Sequence, residues 1–232
     1  MISVVVPTLW KNSESFLNFL EKIVGVDCVG EVLIINNKVE NTPTEQILNH
    51  PKVKLLNQER NIYVVPAWNL GAKEAMYDII SIIEDDIEFD LRLFSKINDF
   101  ITPDVGMVNL LFQYPDKKEY HERFTDGSID IIPYSNGIQM DGFGACFFLH
   151  KTRWVDIPRI KIWCGEGVIF DLQRVLYKKQ NYVAVNCTAF SPWHVSSNNL
   201  PEEENIDAVT FEIDNAHFKD LVGLLYKWGN EE

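Results

Sequence analysis

A chain of 232 residues, 46% apolar and 12% aromatic, is long enough to bury a substantial core and too hydrophobic to be disordered. Its 34 acidic against 21 basic residues leave a formal charge of −13, which repels phosphate backbones at long range and disfavours nonspecific nucleic-acid binding. The compact basic stretch Lys151, Arg153, Arg159 and Lys161 reads as a solvated loop. Cys28, Cys146, Cys164 and Cys187 lie far apart with no C-x-x-C pair and no zinc-type spacing, so free thiols in a reducing compartment are expected. The start, Met-Ile-Ser-Val-Val-Val-Pro, lacks a basic n-region, and no stretch approaches the ~20 apolar residues of a membrane span. A cytoplasmic protein of one domain, residues 1–232, is the expectation.

Taken in chain order, Ile2 to Val6 is a β-branched run stopped by Pro7 and reads as a buried strand. Ser13 offers an N-cap, after which Phe16, Leu17, Leu20, Ile23 and Val24 recur at helical spacing. Glu31 to Ile35 is a second strand ending in Asn36-Asn37. Thr42-Pro43-Thr44 opens a short helix around Ile47 and Leu48, Val53 to Leu56 gives a third strand, and Pro66 to Tyr77 is helical. Ile79 to Ile83 is apolar throughout and breaks abruptly into acids, the pattern of a strand buried on both faces of a parallel sheet. Further on, strands are expected at Val105 to Phe112, Phe143 to Leu149 and Tyr182 to Val185. Helices are expected at Phe170 to Tyr177 and Ala216 to Trp228, and an irregular insertion at Gln113 to Gly137.

Strands alternating with helices of this length imply βαβ units and an α/β fold with a mostly parallel central sheet flanked by helices. Thr8, Asn36-Asn37 and Glu84-Asp85-Asp86 then share the carboxyl edge, where open α/β sheets bind ligands. Three adjacent carboxylates repel one another, and a hard divalent cation with oxygen ligands relieves that repulsion. On its own the triplet fits a metal site and a solvated turn equally well. Strand alternation places Glu84 and Asp86 on one side and Asp85 on the other.

The order of these segments resembles the GT-A fold glycosyltransferases, in particular the large inverting group called family 2. Met1 to Thr8 is similar to that family's opening strand beneath the nucleotide base, which implies a donor-binding role for Pro7 and Thr8. Glu31 to Asn37 resembles its second strand, with Asn36 or Asn37 standing where an acid commonly meets uracil. Asn61-Ile-Tyr-Val-Val-Pro-Ala-Trp-Asn69-Leu-Gly71 looks like its Asn and Asn-x-Gly stretch, implying that Asn61, Asn69 and Gly71 back the nucleotide pocket. Tyr63 replaces a customary Gly there.

Glu84-Asp85-Asp86 corresponds to the D-x-D motif: Asp86 is the implied metal ligand, Glu84 a helper, and Asp85 a contact to the donor ribose or sugar. Gly142-Phe-Gly144-Ala-Cys146 resembles the segment lining the acceptor side. Trp163-Cys-Gly-Glu166-Gly-Val-Ile-Phe170 resembles the stretch carrying the catalytic base, so Glu166 is the candidate, with Asp171 the alternative about one helical turn on. Gly167 stands where a second acid is common. His194 resembles a late histidine that completes the metal site.

The resemblance implies a nucleotide-sugar-binding half (1–90), an acceptor and catalytic half (91–200) with a smaller acceptor-side subregion, and a helical segment (201–232). It also implies a nucleoside-diphosphate sugar as donor, a UDP-sugar foremost, Mn²⁺ or Mg²⁺, and inverting transfer of one sugar to a glycan or other hydroxyl acceptor. A modified nucleobase stays open as acceptor, though the acidic balance argues against it. Two alternatives stand beside this reading. One is a nucleotide-sugar or glycan-binding module without catalysis. The other is a sugar nucleotidylyltransferase, which would carry a Gly-rich basic loop where Pro7-Thr8-Leu9-Trp10 stands.

Overall fold

The computed structural model describes residues 1–11, 13–113, 128–135, 144–190 and 206–229. Its elements are β1 (Ile2–Thr8), α1 (Ser13–Val24), β2 (Val29–Asn36), β3 (Val53–Asn57), α2 (Val64–Glu74), β4 (Ile79–Ile83), α3 (Arg92–Phe100), β5 (Val108–Gln113), β6 (Asp130–Pro133), β7 (Cys146–His150), α4 (Gly165–Val175), β8 (Tyr182–Phe190) and α5 (Ile206–Gly229). The strands form one sheet in the order β3-β2-β1-β4-β7-β5-β8-β6. Its first half is parallel, β1 pairing with both β2 and β4, and β2 with β3. The second half is mixed: β7 runs antiparallel to β4 and β5, β8 is parallel to β5, and β6 is antiparallel to β8.

Because β7 runs backwards, its first residues lie at the same edge as the last residues of β1, β2 and β4. Pro7 fits inside β1 since pairing with β4 ends at Val5, where the ladder on that side needs no further donor. Alternation along the strands divides the core between two faces. Ile2, Val4, Val6, Val32 and Ile34 meet α1 and α3, whereas Val5, Leu33, Ile35, Ile80 and Ile82 meet α2 and α4. A side chain at Gly71 would meet Val5 Cγ1 at 2.2 Å, so this glycine is what lets α2 lie directly on β1.

Several elements differ from the sequence reading. The segment around Ile47 and Leu48 forms two 3₁₀ turns, Val39–Asn41 and Gln46–Asn49, with no buried residue in either; a short helix without a packed face does not persist. Helix α2 starts at Val64, ahead of Pro66, and stops at Glu74, Ala75 being extended. Helix α3 went unread; it packs through Leu93, Phe94 and Ile97, its polar remainder diluting the apolar signal. Helix α4 begins at Gly165, five residues before the expected Phe170, which puts Glu166 in its first turn. Its two early glycines hide the helical pattern. Helix α5 starts at Ile206 rather than Ala216, because its buried stripe opens with polar Thr210 and Asp214. Most of the Gln113 to Gly137 insertion lies outside the described residues, except that Asp130–Pro133 is the edge strand β6. All four cysteines are free. No helix among the described residues is long and apolar enough to cross a membrane.

Gly71→Ala is expected to destabilise the fold by about 1–3 kcal/mol through overpacking against Val5, measured by chemical denaturation; an unchanged midpoint would show that α2 can lift from β1 without penalty.

Candidate functional site

At the carboxyl edge the ends of β1, β2, β4 and β7 converge. The Glu84 N–H donates to the carbonyl of Ala145 at 3.0 Å, carrying β4's pairing past the strand end towards β7. The next residue turns the other way, and the Thr8 hydroxyl at the tip of β1 donates to the Asp85 carboxylate. The acidic triplet therefore bridges β1 to β7, beyond the point where strand alternation applies.

Thr8 is itself held in place. Its hydroxyl oxygen accepts the Trp10 N–H at 2.8 Å, and the Trp10 indole donates to Asn36 Oδ1 at 2.8 Å. Asn36 also accepts Lys38 N–H at 3.2 Å and donates to Thr42 at 2.8 Å and Asn57 at 2.7 Å. Its amide is thus fully engaged inside the protein, where it shapes the loop after β1. Asn37, also buried, accepts Ile62 N–H at 3.2 Å and donates to the Tyr63 carbonyl at 3.5 Å. Asn61 is exposed and accepts Tyr63 N–H at 2.8 Å.

These bonds hold Tyr63 at φ 69, ψ −176, a region that is essentially glycine's alone. The position where the resembled pattern has Gly thus keeps a glycine's backbone while carrying a phenol, and Lys161 Nζ lies 5.0 Å from its ring centre. Asn69 sits elsewhere: its amide clamps the backbone of Ile157 through two bonds of 3.1 Å each. Together with Gly71 on Val5, it fixes α2 against its surroundings.

Glu166 comes to the acidic corner from α4. Its carboxylate rests on Gly144, where a Cβ would stand 3.0 Å from Cδ and from Oε2. Burial, then the charges of Asp86, Asp85 and Glu166, push Glu84 up to about 8. Burial also raises Asp85 to about 6, opposed by the Thr8 hydrogen bond and by Lys11, and Glu166 is raised by burial. Asp171 faces a different partner, bonding Arg174 at 2.8 Å. Among the described residues no three His, Cys, Asp or Glu side chains are gathered closely enough to hold a metal ion. The carboxylates here offer oxygen donors only and repel one another, chemistry that fits a hard divalent cation. His194, Gly142 and Phe143 lie outside the described residues.

Two contributions were not read from the sequence. Gly144 makes room for the Glu166 carboxylate, and Gly167 makes room for Phe218 of α5, whose ring a Cβ there would meet at 2.8 Å. The second acid of the resembled motif is therefore sterically incompatible with α5 as it packs here.

No protein-family model matches the sequence, and no curated protein matches it either. Solved structures do match. GalNAc-T7 with UDP, GalNAc and Mn²⁺ superposes at a TM-score of 0.61 with 13% identity over 82% of this chain and 43% of its own. TarS 1–349 of S. aureus in complex with UDP gives 0.57 and 14% over 82% and 60%. The mannosyltransferase PcManGT of Pyrobaculum calidifontis with GDP-Man and Mn²⁺ gives 0.57 and 14% over 84% and 58%. This chain has the GT-A fold, and it spans about half the length of these structures.

An acid whose pKa is higher in the folded chain than in the unfolded one keeps its proton more readily when folded, so its contribution to stability falls as pH rises between the two values. For Glu84 that window runs from 4.5 to about 8. Metal-free Glu84→Gln is therefore expected to melt above the wild type at pH 8.5, with the difference shrinking towards pH 5, in thermal scans with a chelator. A difference independent of pH would refute the raised carboxyl.

Proposed function

We propose that this chain is a divalent-metal-dependent glycosyltransferase that moves one sugar, with inversion, from a nucleoside-diphosphate sugar to an acceptor hydroxyl. The observation that carries the reading is the placing of Glu84, tied by its N–H to Ala145, beside Glu166, whose carboxylate rests on the adjoining Gly144, at the carboxyl edge of a GT-A sheet. The bound nucleotides and Mn²⁺ named for the matching structures support it.

In this reading the base lies at the ends of β1 and β2, against loops shaped by Pro7, Thr8, Asn36, Asn37 and Asn61. UDP is the first donor base to test, with GDP the second. Thr8 orients the Asp85 carboxylate, whose other oxygen accepts a hydroxyl of the donor ribose or sugar. Asp86, helped by Glu84 and His194, would hold Mn²⁺ or Mg²⁺. That ion, when bound, supplies positive charge opposite the diphosphate.

Glu166 accepts the acceptor's hydroxyl proton. The acceptor oxygen then bonds to the anomeric carbon as the bond to the diphosphate oxygen breaks, the bonding pair leaving with the diphosphate. Burial suits Glu166 to this task, since a base works best with a pKa drawn towards the working pH. Asp171, ion-paired to Arg174, is the weaker candidate.

The test is nucleoside diphosphate release from UDP- and GDP-sugars with Mn²⁺, with and without glycan acceptors. Asp86→Ala is expected to lower turnover by about 10³-fold, the scale of losing several kcal/mol of charge stabilisation. Retained activity would remove the metal assignment. Glu166→Gln should bind UDP normally and lose roughly 10²–10⁴-fold in transfer, the usual size of a general base's contribution. Should Asp171→Asn abolish turnover while Glu166→Gln spares it, the two roles are exchanged. Donor binding without release under any condition would mark a binding module.

A further inference from the structure

Helix α5 carries a buried carboxylate that none of the recognised motifs contains. Asp214 is fully buried and accepts three successive backbone N–H groups, from Lys161 at 3.0 Å, Ile162 at 2.8 Å and Trp163 at 3.0 Å. Consecutive amides converging on one anion form a nest, and their bonds to a charged acceptor are about twice as strong as neutral ones. The chain leaves the nest through Cys164, whose backbone is left-handed at φ 65, ψ 8, and enters α4 at Gly165. Glu166 follows at once.

Three features make this grip consequential for Glu166. First, Gly165 and Gly167 flank it, so the first turn of α4 has little stiffness of its own. Both glycines are required by close approach, Gly165 to Val65 and Trp68, and Gly167 to Phe218. Second, the Lys161 carbonyl accepts Val65 N–H at 2.8 Å, tying the same loop to the start of α2. Third, α5 docks along the whole of α4. Phe211 meets Trp163 with ring centres 5.8 Å apart, Leu225 clusters with Leu172 and Val175, and the Tyr226 hydroxyl takes a bond from Arg174. The carboxylate thus lies at the end of a long contact.

We propose that Asp214 is a positioning residue for Glu166: by filling the amide nest at residues 161–163 it sets where α4 begins and so where the Glu166 carboxylate stands against Gly144. This rests on Glu166 being the base. A functional carboxylate needs placing to within about 0.5 Å, and a misplacement of about 1 Å can lower turnover by about 10²-fold.

The experiment is a double-mutant cycle in the full chain. It reads nucleoside diphosphate release from whichever UDP- or GDP-sugar the wild type turns over fastest with Mn²⁺. Asp214→Asn keeps one acceptor oxygen but turns an NH₂ towards the nest. It is expected to lower kcat by about 10–10²-fold while UDP affinity with Mn²⁺ stays at the wild-type value, which also certifies the fold. In a Glu166→Gln background the same change is expected to cost less than about threefold, because the group it positions is already gone. Asp214→Glu, which keeps the charge, is expected to restore part of the loss and serves if the amide variant fails to fold.

Equal losses in both backgrounds would overturn the proposal, as would wild-type kcat in folded Asp214→Asn. If Glu166→Gln alone leaves turnover intact, the base assignment falls first and the positioning role with it.

Discussion

Like charges confined in a poorly solvated cleft organise this molecule's working edge. Glu84 sits between the charges of Asp86, Asp85 and Glu166 in an environment that already penalises ionisation. Left to themselves these groups would move apart, so their proximity has to be imposed by backbone that cannot yield. Strand β4 is buried at every position, Glu84 is tied by its N–H to Ala145, and Asp85 is tethered to Thr8. The two apolar layers of the sheet supply the stability against which this local cost is set.

How much of this was legible in the sequence depends on how simply each segment is buried. Ile79 to Ile83 is apolar without interruption and then acidic, so strand and corner were both plain. Helix α4 was read late because Gly165 and Gly167 answer to neighbours distant in sequence rather than to helix propensity. The start of α5 was missed for a related reason. Its inward stripe, Thr210, Asp214, Phe218, Leu221 and Leu225, has helical spacing throughout, but its first two members are polar. An acid on the apolar face of a helix is the one signal that could have exposed Asp214.

The residues singled out by the resemblance each make definite contacts within the protein. Asn69 and Gly71 stand where the resembled pattern has them, yet one clamps Ile157 and the other lets α2 touch Val5. Asn36 was a candidate for base contact, and its four hydrogen bonds all go to the protein. The departures from the pattern are equally physical. Tyr63 keeps a glycine's backbone and sets its ring beneath Lys161; Gly167 gives up an acid to admit Phe218. The former brings the second half of the chain against the first half, and the latter brings α5 against α4.

The peptide of Lys161 carries a mechanical consequence. In the peptide joining Lys161 to Ile162, the Ile162 N–H is fixed to Asp214 of α5 and the Lys161 carbonyl to Val65 of α2, on opposite sides of one rigid plane. A hinge cannot act here, since any swing separating α2 from α5 must rupture one of the two bonds, and rotating the plane ruptures both. Any opening of the carboxyl edge has to be accommodated by other parts of the rim, with this corner serving as the fixed jaw.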